Sequence, residues 1–297
     1  MTAALAPHTK RRGSSAVLGY ALLAPSLFGV VVFLLVPIVV VVWLSFQQWD
    51  LIGPARFAGL KNWAAVFTDP SFAQSLLVTV VFSVLVVVLQ LVLGILVAVL
   101  LTQRLPGSGV FRVIFVIPWV CAPLALGVVW NAIFQPTGGA LNTILGTHTS
   151  WLTSPVLALL CVVTVSVWSQ VGYVSLFFMA GLAVIPDAVV EAARVDGAGA
   201  ARIFFTIKLP LLRPTMFFVL VTSIIGAMQA FDTIYSLTQG GPMNATNVLA
   251  YRIYQKAFTA FDLGQAAVTA LVLFVILVVV TLAQQLYFRR RITYDLS

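Results

Sequence analysis

Six apolar runs, at about 17–46, 76–102, 110–134, 156–183, 212–237 and 265–288, divide the chain. A helix needs roughly 20 consecutive apolar residues to cross the hydrocarbon of a bilayer, and each run reaches that length. Inside lipid every backbone N–H and C=O must find its partner within the protein, so long unbroken runs of this kind fold as helices. The composition agrees, with 61% hydrophobic and 8% charged residues against about 25% charged in soluble domains. The fold class is therefore an all-α membrane protein with six transmembrane helices. Lys10-Arg11-Arg12 before the first run resembles the start of a secretory leader. The run that follows is far longer than the roughly 7–15 apolar residues of a leader, so it reads as an uncleaved first span.

A formal charge of +8 suits either nucleic acid or a membrane surface, and the placement of the cations decides for the membrane. With the N-terminus inside, the cytoplasmic side carries Lys10, Arg11, Arg12, Arg104, Arg112, Arg194, Arg202, Lys208, Arg213, Arg289, Arg290 and Arg291. The outside carries Arg56, Lys61, Arg252 and Lys256. Twelve of sixteen cations on one side puts the N and C termini and the 185–210 loop in the cytoplasm. Residues 1–16 and 291–297 then read as cytoplasmic tails, 17–71 as the first transmembrane helix with an external loop, and 72–290 as the transmembrane core. Lipid is the medium and nucleic acid is not a partner.

The polar stretch 185–210, between the fourth and fifth runs, reads as two short helices with a break. Pro186 and Asp187 suit a helix start, where the missing N–H costs nothing and a carboxylate meets the positive end of the dipole. Gly197 suits the stop, and a second helix runs from about Gly199 to Lys208 until Pro210 ends it. Val190, Ala193 and Gly197 share a narrow face, and Glu191 and Arg194 are i,i+3 neighbours. A helix this short is unstable alone; it is either a surface loop helix or a piece that docks into a partner's groove.

Glu191-Ala192-Ala193, Gly197-Ala198, Phe204, Ile207, Leu209-Pro210 and Pro214 stand at the spacing of the EAA loop, and the chain resembles the inner-membrane permease subunits of binding-protein-dependent ABC importers. The resemblance implies a type I importer fold and makes the 185–210 loop a coupling helix lying in a cleft of an ATPase subunit, through Glu191, Ala192, Ala193, Asp196, Gly197 and Pro210. It also implies the partners: a second, homologous permease subunit, two ATPase subunits that hold ATP and Mg²⁺, and an extracytoplasmic solute-binding protein. By the same implication this chain binds no cofactor and is not an enzyme. Pro25, Pro37, Leu44-Ser45-Phe46, Trp49-Asp50, Gly59-Leu60-Lys61-Asn62-Trp63, Phe67, Asp69 and Phe72 resemble the sugar-type branch of the family, as does Gly240-Gly241-Pro242 with Gln239 where a third glycine is usual. That branch implies a sugar or related polyol as solute, with glycerol-3-phosphate or another phosphorylated polyol as the alternative.

Two of the spans carry polar stripes at helical spacing. Span four has Ser166, Gln170, Tyr173 and Phe177 beside Trp168; span five has Thr222, Gly226, Gln229, Thr233 and Ser236, with Asp232 next to the stripe. Polar groups at membrane depth face a bundle interior or a watery cavity. Gln170, Tyr173, Gln229, Asp232 and Ser236 are candidate substrate-pathway residues, since amides, hydroxyls and flat rings are what a polyol needs; helix–helix glue is the other reading of each. Asp232 could instead pair with Arg252 or Lys256 near the outer interface. Gln90 in span two reads as an interhelical hydrogen bond. Pro37 is expected to kink the first span, and Pro118 and Pro123 to bend the third.

Other function classes find little in the sequence. Cys121 and Cys161 lie in apolar runs without a metal or redox pattern, and His8 and His148 lie in a tail and a loop, so no metal or catalytic residues are assigned. No G-x-x-x-x-G-K-[ST] run exists to cradle ATP. An ATPase-independent secondary transporter would need an intramembrane acid or His relay and an internal repeat, and the spans offer Asp232 alone. An intramembrane hydrolase would need a Ser/His or paired-Asp constellation, which the spans lack.

Overall fold

The computed structural model describes residues 12–103 and 107–289, with side chains from Tyr20 onward. Lys10, Arg11, Arg290, Arg291 and the turn residue Arg104 lie outside the described residues, as do most of the two tails.

The first span is α1 (Arg12–Val30), a π turn (Val31–Leu35) and α2 (Val36–Ser45). The expected kink at Pro37 is taken up by that wider turn, which lets the coil continue where the ring would otherwise strike a carbonyl. A hairpin of β1 (Gln47–Gln48) and β2 (Arg56–Phe57) leads to α3 (Lys61–Thr68) and the second span, α4 (Pro70–Thr102). The third run forms α5 (Ser108–Val120) and α6 (Pro123–Ile133), bent by 99° to each other. Pro123 is the cause: Ala122 before it is pushed to an extended conformation (φ −60°, ψ 122°), as a residue preceding proline is. Pro118 stays inside α5.

A short α7 (Ala140–Leu145) precedes the fourth span, α8 (Pro155–Ala183). The 185–210 loop then folds as α9 (Asp187–Val195) and α10 (Ala200–Ile203), followed by a π turn (Phe204–Lys208) and α11 (Leu209–Leu211). Here one expectation is corrected: Pro210 does not end the helix but sits in the first turn of α11. The π turn just before it absorbs the missing donor, and the coil yields only at Leu212 (ψ −2°). The fifth span is α12 (Arg213–Met228) and α13 (Asp232–Leu237), interrupted at residues 229–231. After α14 (Leu249–Tyr254) and a third π turn (Gln255–Thr259) comes the last span, α15 (Leu263–Arg289). Among the described residues, five helices are long and apolar enough to cross a membrane, or six if the bent α5–α6 pair is one span.

The central helix is α8, which packs on α4, α5, α12 and α13. Glycines permit those approaches, since lipid offers no hydrophobic drive and helices associate by close backbone contact. A Cβ at Gly172 would overlap the Phe115 carbonyl of α5, one at Gly94 would strike Val174, and one at Gly181 would strike Thr215 and Leu212. The obstacle at Gly172 is backbone, which cannot rotate away. Gly172→Ala is therefore expected to destabilise the bundle by about 2 kcal/mol, read as a lower thermal midpoint of the detergent-solubilised protein, whereas Gly226→Ala, with nothing within 4 Å of the added carbon, should leave it unchanged.

The end of the bundle away from α9 is tied by polar contacts. Asn62 donates to the carbonyls of Ser45 (2.9 Å) and Gln47 (2.8 Å), sealing α3 under the hairpin. Asp69 caps α4, accepting from the Ser71 amide (2.9 Å) and hydroxyl (2.8 Å). Arg252, 4% exposed, donates to Asp69 (2.5 Å) and to Ser71 (2.7 Å) and lies 5.9 Å over the Phe72 ring. Asn62, Asp69 and Phe72 of the sugar-branch pattern thus have structural work to do.

Candidate translocation cavity and coupling loop

The two helix interruptions face the same space. A cavity of about 240 Å³ lies between α4, the α5–α6 bend, α8 and the α12–α13 break. Gln170 and Tyr173 reach it from α8, Gln229 and Asp232 from the break in span five, and Trp119 and Cys121 from the bend. Irregular backbone at membrane depth is tolerated where it lines such a cavity. The Trp119 ring stacks on Tyr173 at 4.5 Å with 16° between planes, presenting aromatic surface at the wall.

The amides, the phenol and the carboxylate there are uncommitted, whereas the Ser169 and Thr222 hydroxyls are spent on helix carbonyls. Gln90, Gln170, Tyr173, Gln229 and Asp232 make no side-chain hydrogen bond to described residues, and the buried Ser166 hydroxyl is unpartnered. The interhelical bond expected of Gln90 is thus absent, and its amide faces the cavity instead. Asp232 pairs with neither expected cation, because Arg252 is taken by Asp69 and Lys256 by the Gln265 amide oxygen (2.9 Å). Ser236 is not among the lining residues. It donates to the Asp232 carbonyl (2.7 Å) and packs on Gly127 of α6, where a Cβ would overlap its hydroxyl, so helical spacing alone placed it in the stripe. Sequence reasoning missed Trp119 and Cys121; the signal was Pro118 and Pro123 on either side of them, which aims that segment at the interior.

The second candidate is the loop. Pro186 and Asp187 start α9 as expected, and it ends in a complete Schellman motif. Gly197 has φ +78°, its N–H donates to Arg194 (3.0 Å), and the Ala198 N–H donates to Ala193 (2.9 Å). Only the left-handed backbone demands glycine there, for a Cβ would meet nothing within 4 Å. No residue of α9 is buried, and Val195 is 88% exposed. Glu191 and Arg194 form no ion pair, so the Glu191 carboxylate is exposed and unengaged, with Ala192 and Ala193 beside it. Among the described residues no cluster of His, Cys, Asp or Glu could hold a metal.

The profile of the family described as binding-protein-dependent transport system inner membrane component matches residues 90–294. The chain belongs to that family. An sn-glycerol-3-phosphate transport system permease protein, UgpA, of Agrobacterium fabrum is 37% identical to this inner membrane component over 284 residues, with 94% of this chain and 97% of the relative covered. The protein of that name from Brucella abortus is 36% identical over 286 residues, covering 94% and 97%. The fold of this inner membrane component is also that of a bacterial ABC transporter involved in the import of the acidic polysaccharide alginate (TM-score 0.82, 21% identity, 94% of this chain and 98% of that chain). The same transporter type with its alginate pentasaccharide-bound periplasmic protein matches at TM-score 0.83 and 20% identity, over 96% and 98%. This component is thus a non-catalytic permease subunit of an inner membrane, part of a binding-protein-dependent transport system.

Proposed function

We propose that the chain forms half of the translocation pathway of an ATP-driven importer for a sugar or related polyol, and takes its motion from the ATPase through the α9 loop. The observation that carries the solute reading is the cavity whose Gln amides, Tyr173 hydroxyl and Asp232 carboxylate are not spent on the described residues. Such groups bind a polyol by exchanging water for hydroxyls, with Trp119 and Tyr173 offered to its apolar face. ATP and Mg²⁺ belong to the partner ATPase subunits. The termini and the 185–210 loop lie in the cytoplasm, as the distribution of Lys and Arg indicates. Glu191 makes a charge-assisted contact with the ATPase, Ala192 and Ala193 permit close approach, Asp196 and Gly197 set the turn, and Pro210 holds the return into span five.

Removing one hydrogen-bonding group from a solute costs roughly 1–2 kcal/mol, about tenfold in rate or affinity. Asp232→Ala and Gln229→Ala are therefore each expected to cut uptake about tenfold in vesicles holding the complete transporter, with assembly judged by co-purification unchanged. Normal uptake in both would assign the break in span five to packing alone.

Glycerol-3-phosphate is the second reading, favoured by the transport system after which the relatives at 36–37% identity are named. Among the described residues no Lys or Arg lines the cavity on this half, so a phosphate would take its countercharge from the partner permease. Competition of labelled uptake by a neutral sugar against glycerol-3-phosphate separates the two.

A further inference from the structure

A cavity of about 960 Å³ lies under the coupling loop, between it and the ends of α4, α5 and α8. Three cations line it, Arg112 from α5, Arg194 from α9 and Lys208 from the π turn, against one carboxylate, Asp187. Asp187, Glu191 and Asp196 all belong to the same loop, yet none pairs with these cations; the ion pair found among the described residues is Arg252–Asp69. Arg112 is fixed at the rim by a hydrogen bond from its Nη2 to the Leu101 carbonyl (3.2 Å). Three cations around a cavity with a single unpaired carboxylate leave a net positive charge there, and an anion between them removes the cost of their repulsion.

A second, independent observation says what kind of anion. Arg112 also opens an apolar groove of about 430 Å³ that runs along α5 over Val113, Val116, Ile117 and Val120 to Cys121. These positions follow Arg112 at one, four, five and eight residues, a single helical face, and Val113, Ile117 and Val120 are 59%, 52% and 71% exposed. A cationic cavity joined through one arginine to a shallow, open apolar face of a single helix matches an amphiphile with an anionic head. The height is right as well: α4 ends at Thr102 and α8 at Ala183, beside the cavity, where spans give way to the headgroup layer. Basic pockets between spans at the cytoplasmic surface are suited to anionic headgroups.

We propose that an anionic phospholipid of the inner leaflet seats here, its phosphate among Arg112, Arg194 and Lys208 and one acyl chain in the α5 groove, so that part of what the coupling loop rests on is lipid. The proposal rests on the reading above that places this loop in the cytoplasm. A soluble phosphate shares the head chemistry but leaves the groove empty.

The test uses the complete transporter, permease pair with ATPase subunits, in nanodiscs of phosphatidylcholine mixed with phosphatidylglycerol, followed by graded delipidation and native mass spectrometry. Phosphatidylglycerol should be retained over phosphatidylcholine, and Lys208→Gln and Arg112→Gln should each lower that preference about fivefold, while Lys256→Gln, at the other end of the bundle, should not. Equal retention of both lipids, no retained lipid in the assembled complex, or unchanged preference in both variants overturns the proposal. Full displacement by inorganic phosphate overturns it too, naming a soluble anion as the ligand. Uptake by the wild-type complex in vesicles of phosphatidylcholine alone, and protease access to the loop from the cytoplasmic side, check the transport and orientation readings separately.

Discussion

Glu191→Lys is expected to abolish solute-dependent ATP hydrolysis and uptake while leaving membrane insertion and the paired permease intact. The carboxylate sits on a helix with no buried residue and forms no ion pair among the described residues, so its removal should cost the isolated subunit little. Its proposed contact is charge-assisted, worth roughly 1.5–3 kcal/mol, and reversal adds repulsion to that loss. Association with the ATPase subunits should weaken more than about tenfold, since 1.4 kcal/mol is a decade. Co-purification of ATPase with the variant, together with uptake in vesicles, measures it. Normal uptake with normal ATPase recovery would remove Glu191 from the coupling surface and leave α9 an ordinary surface helix.

Asp69→Ala should be the most destabilising change at the opposite end, by about 3 kcal/mol. The loss has little to do with the strength of a surface salt bridge: Arg252 is 4% exposed and would be left charged and unpaired, while α4 would lose its cap. Arg252→Met removes the stranded charge together with the pair, so it should cost less than Asp69→Ala, and comparing the two thermal midpoints checks the account. Burial alone would push the Asp69 carboxyl up, but the Ser71 hydroxyl and amide and the Arg252 guanidinium outweigh it and hold it below the ordinary 3.8. A folded-state value below the unfolded one means the contribution is fully present above pH about 4 and is lost as pH falls through the lowered value. Acid below that point should therefore narrow the gap between wild type and Asp69→Ala, and a gap that widens in acid would contradict the assignment.

What could be read from the sequence was what depends on local chemistry. Length and apolarity give the spans, Pro186, Asp187 and Gly197 give the limits of α9, and the EAA spacing leads to the family. What could not be read depends on neighbours. Pro210 and Pro37 look like breaks, yet π turns one or two residues earlier let the helix pass, and no residue pattern here announces a π turn. Pro123 acts through its effect on Ala122 and divides a run that hydropathy joins. In the cavity, spacing correctly grouped Gln170 with Tyr173 because they share a face of one straight helix. It failed at Ser236 because α13, whose first residues Asp232 and Thr233 do line the cavity, turns that side chain onto Gly127 of α6. Gln90 looked like a bond between helices because an amide in lipid needs a partner, and only the packing shows that it faces open space. Arg252 and Asp69, 183 residues apart, are joined by the fold alone.

The close approach at Gly181 has a mechanical reading. A Cβ there would meet Thr215 and Leu212, so the outgoing and returning helices of the 185–210 detour are pinned to each other at its base. The detour is a closed handle: pulling on it cannot splay its two roots, and any load applied at its tip arrives at both roots together, as one displacement of a single stiff body.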